Sequence, residues 1–221
     1  SYAYDAAGNL VSARDLSTGS SHRYGYADPD THLLTLVSSA AGGQAIVHGP
    51  AGATTQPIRQ DLGAALAYLE RPVAGQLAAG ATDLYSFAVR PSEVRLPQGG
   101  AFLLGVELTA SDANALTPAL PQIDGGVRIA SGSSGGRAFA VYRFDADGLH
   151  TLRVAGSGAG AYTLRLFAVG DLNADQRVDG VDAGLLAGAR GSQQGDVTFL
   201  PAADLTRDGR IDAADSQLLY A

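Results

Sequence analysis

The stretch TDLYSFAVR, residues 82–90, decides the fold class of this chain. Along an extended strand, Tyr85, Phe87 and Val89 lie on one face and the residues between them lie on the other. Five further runs alternate similarly, between clusters of Gly, Pro, Asp or Ser: AFLLGVELTA (101–110), GVRIAS (126–131), AFAVYRF (138–144), LHTLRVAG (149–156) and AYTLRLFAV (161–169). Six such runs predict a mainly β chain with an antiparallel β-sandwich over residues 62–169.

The composition agrees with a folded chain that is rich in turns. Hydrophobic residues make up 46% of the 221 residues and charged residues 17%, which is typical of a folded protein rather than a disordered one. The chain has no Cys, Met or Trp, and all 15 basic residues are Arg. Absence of Cys excludes disulfides, thiol catalysis and Cys-ligated zinc. Because the sequence does not begin with Met, we expect it to be a segment of a longer protein.

The distribution of charge narrows the classes of partner. The formal net charge is −7, and the acidic residues are concentrated after Gly170, where nine Asp accompany four Arg. Such a segment repels nucleic acid and anionic membranes and attracts cations. No run of apolar residues approaches the roughly 18 residues of a membrane span. We therefore expect neither nucleic-acid binding nor membrane insertion.

The N-terminal residues 1–48 contain two Tyr-x-Tyr patterns, each followed by turn residues and then by Leu. This pattern predicts β-hairpins before the sandwich. The first copy, with Tyr4-Asp5, Gly8, Asn9 and Leu10, resembles the YD repeats of the RHS family, whose secreted or surface proteins wind such hairpins into a β-shell. The second copy has Ala27 where that motif has Asp, and an ordinary Tyr-rich hairpin is the alternative.

Residues 49–61 include GPAGATTQP, which carries no charge and reads as a linker. The following stretch DLGAALAYLE, residues 61–70, is compatible with a short helix. Within residues 62–169, VAGQLAAGATDLYSFAV and the closing hairpin DGLHTLRVAGSGAGAYTLRLF are similar to the pre-peptidase C-terminal β-sandwich, an accessory domain of secreted proteins. That resemblance implies no active site of its own.

Candidate catalytic residues do not form a recognisable pattern. The histidines His22, His32, His48 and His150 lie in separate segments without the spacing of a metal site. The run ASGSSGG lacks the context of a nucleophile elbow, and DADG at 145–148 reads as a hairpin turn. Glu107, Asp112 and Asp124 could form an acid/base pair across a sheet, but no motif supports this. We therefore expect no enzyme activity.

An acidic twelve-residue pattern occurs twice near the C-terminus, as DLNADQRVDGVD (171–182) and DLTRDGRIDAAD (204–215). An EF-hand loop offers calcium oxygen ligands from positions 1, 3, 5, 7, 9 and 12, with the backbone carbonyl used at position 7. The residues at these positions are Asp171, Asn173, Asp175, Arg177, Asp179 and Asp182 in the first loop, and Asp204, Thr206, Asp208, Arg210, Asp212 and Asp215 in the second. The spacing predicts two calcium sites.

Helix capping is the alternative explanation for part of this pattern. Asp179-x-x-Asp182 and Asp212-x-x-Asp215 each precede an apolar helical pattern, and acidic residues are favoured at helix starts without any metal. Capping does not explain why the polar residues at positions 1, 3 and 5 recur with the same spacing in both loops. Four carboxylates within twelve residues repel one another unless a cation neutralises them. Two Ca²⁺ ions are therefore expected.

Each loop follows an extended segment and precedes a helical one, so residues 170–221 form two loop-then-helix halves. These halves, each closed by Asp rather than Glu, resemble the dockerin type I module, which joins secreted proteins to cohesin receptors. Three departures occur: Gln176 replaces Gly at position 6, Thr206 replaces Asn or Asp at position 3, and Gly180-Val181 and Ala213-Ala214 replace polar pairs that contact cohesin. Metal binding tolerates these changes better than recognition of standard cohesins does.

Taken together, these features predict a mainly β chain with hairpins, a linker, a β-sandwich and a small helical EF-hand-like module. We expect a non-enzymatic, calcium-stabilised extracellular segment with a structural, adhesive or docking role. Its partner is a cohesin-like receptor or another copy of the chain, in a homo-oligomer or filament. The alternative is the accessory C-terminal tail of a secreted hydrolase or toxin.

Overall fold

The N-terminal part of the chain forms an antiparallel sheet whose strands follow chain order. The computed structural model describes residues 1–26, 34–39, 42–49, 52–64, 66–89, 102–145 and 148–219. The strands of the first sheet are β1 (Tyr2–Tyr4), β2 (Leu10–Arg14), β3 (Ser21–Tyr26), β4 (Leu34–Ser39), β5 (Gly42–Gly49) and β6 (Gly52–Ile58). The prediction of hairpins is confirmed for these strands. The predicted turn at 28–30 and His32 lie outside the described residues.

Two sheets pack face to face to form the sandwich. Its strands are β7 (Gln60–Gly63), β8 (Val73–Leu77), β9 (Thr82–Val89), β10 (Phe102–Ala110), β11 (Leu116–Pro118), β12 (Gln122–Ile123), β13 (Val127–Ser134), β14 (Arg137–Phe144), β15 (Gly148–Gly158) and β16 (Gly160–Ala168). One sheet has the order β13-β14-β10-β16-β8 and the other β11-β15-β9-β7. Pairing is antiparallel except between β7 and β9. All six runs predicted from alternation are strands.

Side chains on the inner faces of the two sheets form the main core. Tyr85, Phe87 and Val89 of β9 are fully buried there, as the alternation predicts. They share the core with Leu104 and Val106 of β10. Burial of this apolar surface is the main favourable contribution to folding of the sandwich.

The opposite face of β9 is also covered, because the first sheet packs against it. Leu84 is buried with Leu36 and Ile58 in a separate apolar cluster, which Leu149 of β15 also contacts. A nearby, largely buried ion pair between Arg23 of β3 and Asp61 of β7 also joins the two sheets. The hairpins and the sandwich are therefore packed layers rather than separate units.

The linker prediction for 49–61 is wrong for residues 52–58, which form β6 and pair with β5 over seven register positions. The β-branched residues Thr54, Thr55 and Ile58 suit a strand, and tertiary pairing overrides the signal of Gly and Pro. The short helix considered at 61–70 is also absent from the described residues there. The chain instead forms β7 and a turn, because Leu66 and Tyr68 bury their side chains in the core.

Two short helices follow the sandwich, α1 (Gly180–Ala189) and α2 (Ala213–Leu219). Their buried residues Leu186 and Leu219 belong to the same apolar core as Val169 at the end of β16. The helices therefore pack against the sandwich rather than standing apart from it. Neither helix in the described part of the chain has the length or apolar run needed to cross a membrane.

Asp61→Ala tests the ion pair that joins the first sheet to the sandwich. The Asp61 carboxylate is 5% exposed, so its loss leaves the charge of Arg23, whose side chain is 19% exposed, without this partner in a largely buried setting. We expect the free energy of unfolding to fall by about 3 kcal/mol, as measured by urea denaturation. The control Asp145→Ala breaks an exposed pair with Arg143 and should cost less than about 0.5 kcal/mol. Equal losses in both variants would contradict this role.

Candidate metal centre

The first acidic loop, residues 171–182 (loop 1), curls around the carboxylate of its first residue. Asp171 accepts hydrogen bonds from the backbone N–H groups of Asp175 at 3.0 Å and Gln176 at 2.8 Å. The tight curl places Ala174 and Gln176 in the left-handed region, with φ values of 60° and 65°. Because side chains disfavour this region, Gln176 makes the turn harder than Gly at this position would.

Asp182 closes loop 1 from the inside. Its carboxylate is fully buried and accepts hydrogen bonds from the backbone N–H groups of Leu172 and Asp179, both at 2.8 Å. Asp179 in turn accepts the N–H of Val181 at 2.8 Å, which completes a capping box at the start of α1. One side chain therefore ties the beginning of the loop to its end and to the helix.

The second loop, residues 204–215 (loop 2), repeats this arrangement. Asp204 accepts hydrogen bonds from the backbone N–H groups of Asp208 at 3.1 Å and Gly209 at 2.9 Å. The fully buried Asp215 accepts from those of Thr206 at 2.9 Å and Asp212 at 2.8 Å. Gly209 adopts φ of 86°, which glycine tolerates without strain. The two loops are thus duplicates in backbone shape as well as in sequence.

Of the remaining predicted ligands, Thr206 is half-buried and donates its hydroxyl hydrogen to Asp215 at 3.1 Å, whereas the others are exposed on the outside of the two loops. Asp175 and Asp208 are exposed, and each accepts the backbone N–H of the Arg two residues later at 2.9 Å. The side chains of Arg177 and Arg210 are exposed, which leaves their carbonyl groups to serve at position 7. Capping therefore accounts for the ends of the loops, and it leaves the curled first halves unexplained.

Burial of the first carboxylate disfavours its charged form in both loops. The pKa of Asp171 is raised mainly by burial and also by the neighbouring Asp182 and Asp175, although backbone N–H donors oppose the shift. Burial likewise raises the pKa of Asp204, with Asp215 adding to the shift and Arg207 opposing it. Because the native state then holds its proton to a higher pH than the unfolded state does, the free energy of unfolding of the metal-free chain falls as pH rises through the raised pKa. A bound cation would reverse this penalty.

The chemistry of the donor set fits calcium. Both loops offer carboxylate, amide, hydroxyl and carbonyl oxygen atoms, and Ca²⁺ takes six to eight such ligands. Among the described residues, no ion pair involves an acidic side chain of loop 1. No three acidic or histidine side chains in the described ranges converge as they would around a metal ion. The carboxylates are turned toward backbone N–H groups, so ligation requires the exposed ones to rotate inward.

The candidate catalytic residues of the sandwich have separate structural partners. Glu107 accepts a hydrogen bond from Arg137 at 2.6 Å, and Asp112 accepts one from the backbone N–H of Asn114 at 2.9 Å. The carboxylate of Asp124 accepts a hydrogen bond from the hydroxyl of Thr151. The backbone carbonyl oxygen of Asp124 lies 2.8 Å from His150 Nδ1. Burial lowers the pKa of His150, which packs against the rings of Phe87 and Phe144. The acid/base pair considered from the sequence is not supported by these contacts.

Comparisons with known proteins agree with the reading of the C-terminal module. Residues 169–221 match the dockerin type I domain family. Domains of this family bind calcium and dock to cohesin partners in extracellular or cell-surface assemblies. Among solved structures, the chain is similar to the pre-peptidase C-terminal domain of a collagenase from Bacillus anthracis, with 20% identity over 48% of this chain and 91% of that one and a TM-score of 0.33. No curated protein matches the sequence significantly.

The apolar residues of the module divide between buried and exposed positions. Val178 and Ile211, at position 8 of each loop, are buried, and the backbone groups of Ile211 bond to Gly191 and Ser192. Val181 and Leu185 of α1 are instead 58% and 38% exposed. The reason is that α1 turns its Leu186 face toward the sandwich.

Asp182→Ala tests the buried carboxylate that closes loop 1. The change leaves two backbone N–H groups without their acceptor and removes half of the capping box. We expect the metal-free module to lose about 2 kcal/mol of stability, measured by urea unfolding followed by far-UV circular dichroism. The control Asp175→Ala, at an exposed position of the same loop, should lose under about 0.5 kcal/mol. A similar loss in the control would contradict the closing role of Asp182.

Proposed function

We propose that residues 170–221 bind two Ca²⁺ ions, one in each loop, and that the calcium-ordered module docks its parent protein to a cohesin-type partner outside the cell. The observation that carries this proposal is the duplicated curl of the two acidic loops, each closed by a fully buried Asp. The match of this segment to the dockerin type I domain supports the same function. We assign the chain no catalytic role.

The oxygen ligands come from the same six positions in each loop. Carboxylates at positions 1, 5, 9 and 12 supply most of the negative charge, and the carbonyl of Arg177 or Arg210 supplies position 7. Position 3 differs, because Asn173 offers an amide oxygen and Thr206 offers a hydroxyl. Binding brings together carboxylates that otherwise repel, so the free energy of binding also stabilises the folded module.

The exposed face of α1 is the surface that we assign to the partner. Val181 and Leu185 lie one turn apart and point away from the sandwich. Gly184 and Gly188 lie between and beyond them, and a side chain there would meet open space. Such a surface offers apolar contact and close approach of backbones rather than hydrogen bonds. The expected occupant is therefore a cohesin-type protein with an apolar face.

The wider role of the parent protein follows from how this module is mounted. The module packs against a sandwich that is itself packed against the first sheet, so the docking face is held on a rigid scaffold. This arrangement suits a structural or adhesive protein of an extracellular assembly. An accessory tail of a secreted hydrolase or toxin would use the module in the same way.

Calcium titration tests the metal sites. Isothermal titration calorimetry of the metal-free chain should show two ions binding at roughly 10⁻⁴ to 10⁻³ M, as in other extracellular sites. Asp175→Ala and Asp208→Ala should each reduce the stoichiometry to one. Asp112→Ala is the matched control, because it also removes one carboxylate that accepts a backbone N–H two residues later.

Chelation tests the link between calcium and folding of the module. Removal of calcium should destabilise the module, lower its helical signal and make loop 1 and α1 the segments most susceptible to protease, while the sandwich stays folded. Unchanged circular dichroism and protease resistance after exhaustive chelation would contradict the proposal. So would an unaltered stoichiometry in both loop variants.

A panel of purified cohesins tests the docking face. Standard type I cohesins should bind weakly or not at all, because Gly180, Val181, Ala213 and Ala214 offer no hydrogen-bonding side chains. Any cohesin that binds in calcium should lose about tenfold or more in affinity with Leu185→Glu, measured by surface plasmon resonance. The control Val197→Glu changes a fully exposed residue outside α1 and should have no effect. Tight binding that survives Leu185→Glu, or no binding by any cohesin, would contradict this assignment.

A further inference from the structure

Arg207, at position 4 of loop 2, sends its side chain out of the loop and onto the sandwich. The side chain is only 11% exposed, and its Nε lies 3.3 Å from a carboxylate oxygen of Glu107 on β10. The N–H group is not aimed at that oxygen, so the contact is an ion pair rather than an aligned hydrogen bond. The guanidinium also donates to the carbonyl oxygens of Pro201 and Asp204. One residue thus links the calcium loop, the segment before it and the sheet.

The aromatic surface beneath Arg207 is built by the sandwich itself. The guanidinium carbon lies 4.5 Å from the ring centroid of Phe167 on β16, a favourable cation–π distance. That ring lies over Gly105 of β10, where a Cβ would come within 2.2 Å of it. Phe167 is therefore buried although the preceding outward residue, Arg165, is exposed. The sheet offers Arg207 a fixed apolar platform.

Glu107 completes the site that receives Arg207. Its carboxylate is 14% exposed and also accepts a hydrogen bond from Arg137 of β14 at 2.6 Å. This second contact holds the carboxylate in position beside Arg207. An ion pair between largely buried groups depends on both partners, so removal of either one is costly.

Among the described residues, loop 1 has no side chain that reaches the sandwich as Arg207 does. The residue at its position 4 is Ala174, which shares the left-handed backbone of Arg207, with φ of 60° against 56°, but has no side chain to extend. Within the described part of the chain, the side-chain hydrogen bonds of loop 1 all join residues 171–182. In the ranges that the structure describes, the side chains of loop 1 therefore make no hydrogen bond to the sandwich, although its backbone, like that of loop 2, includes an isolated β-bridge, at Arg177.

Loop 2 is also tethered through its backbone. Ile211 donates its N–H to Ser192 at 3.0 Å and accepts the N–H of Gly191 at 2.7 Å. Gly209 accepts the N–H of Gln194 at 2.8 Å. The segment after α1 therefore runs alongside the second half of loop 2, while Arg207 fixes its first half to the sandwich.

We propose that Arg207 is the positioning residue through which the β-sandwich orders loop 2, so that this loop keeps its metal-binding shape without calcium and fills at lower calcium than loop 1. The inference rests on the proposed binding of calcium by both loops. A loop that is already ordered does not spend binding free energy on ordering itself. Loop 1 is then the calcium-sensitive half of the module, and it leads directly into the docking helix α1.

Amide hydrogen exchange of the metal-free full chain, followed by NMR, tests the ordering. The reporters are the N–H groups of Gly209 and Gln176, which occupy position 6 and donate to the first carboxylate of their loops at 2.9 and 2.8 Å. After correction for intrinsic rates, Gly209 should exchange about tenfold more slowly than Gln176. Arg207→Ala should remove most of this difference.

A calcium titration read from the same two resonances tests the affinity. Arg207→Ala should weaken loop 2 by about tenfold, as expected for loss of a residue that orients metal ligands, and should change loop 1 by less than about twofold. Arg190→Ala is the matched control, because it removes the same charge from an exposed position of the module outside both loops. Should Arg207→Ala fail to fold, Glu107→Gln should shift both readouts in the same direction by about threefold.

The outcomes separate this inference from the proposed function. Equal protection of Gly209 and Gln176 in the unmodified metal-free chain overturns the inference. So does tighter calcium binding at loop 2 in Arg207→Ala, which would show that Arg207 acts as a repelling charge. If the unmodified chain binds no calcium, the proposed function fails, and the exchange comparison still decides whether Arg207 orders the loop.

Discussion

The central strands of the sandwich bury both of their faces, and the remaining parts of the chain are arranged to satisfy this constraint. On β9, Tyr85 and Phe87 face the core between the two sheets, while Leu84 faces the first sheet. On the other sheet, Phe167 faces outward and is covered by Arg207 of the C-terminal module. Covering an outward apolar face removes it from water, which favours folding. This burial leaves no backbone group unpaired, because the N–H and C=O groups of the central strands already bond to neighbouring strands. The hairpins and the two acidic loops are thus attached to the sandwich by the same physical requirement.

Buried carboxylates place the opposite demand on the module. Asp182 and Asp215 are fully buried, and each is satisfied by two backbone N–H groups that lie far apart in its loop. A buried charge is costly unless it is hydrogen-bonded or paired. Asp171 and Asp204, the first residues of the loops, keep a raised pKa although backbone N–H groups donate to them, so these donors do not offset the whole cost of burial. Under the proposed function, a bound divalent cation would meet the remainder. The loops are therefore shaped by hydrogen bonds, and the charge of their first carboxylates is what a cation would balance.

Local patterns in the sequence predicted the elements whose structure depends on local chemistry. Alternation predicted β9 and the five other long strands of the sandwich, and the repeated spacing of Asp indicated two matching loops, each followed by a helix. The linker at 49–61 was misread because Gly52 and Pro57 indicate a turn locally, whereas pairing with β5 decides the outcome. The role of Arg207 was missed for the same reason, since its partners Glu107 and Phe167 are remote in sequence. A basic residue between two acidic ligands looks like a solvated charge until the sheet beneath it is known.

Duplication of a loop does not make two equivalent loops, because each copy is stabilised by whatever it touches. The two copies here share their ligand grid, their left-handed residue at position 4 and their buried closing Asp. They differ in that Ala174 ends at its Cβ, while Arg207 reaches the sandwich. A contact outside the ligand set can therefore decide how much free energy a loop must spend on ordering when its ion binds. Since α1 follows directly from loop 1, the copy without a side-chain anchor on the sandwich is the one connected to the exposed helix face, and under the proposal calcium would act on that face through this loop.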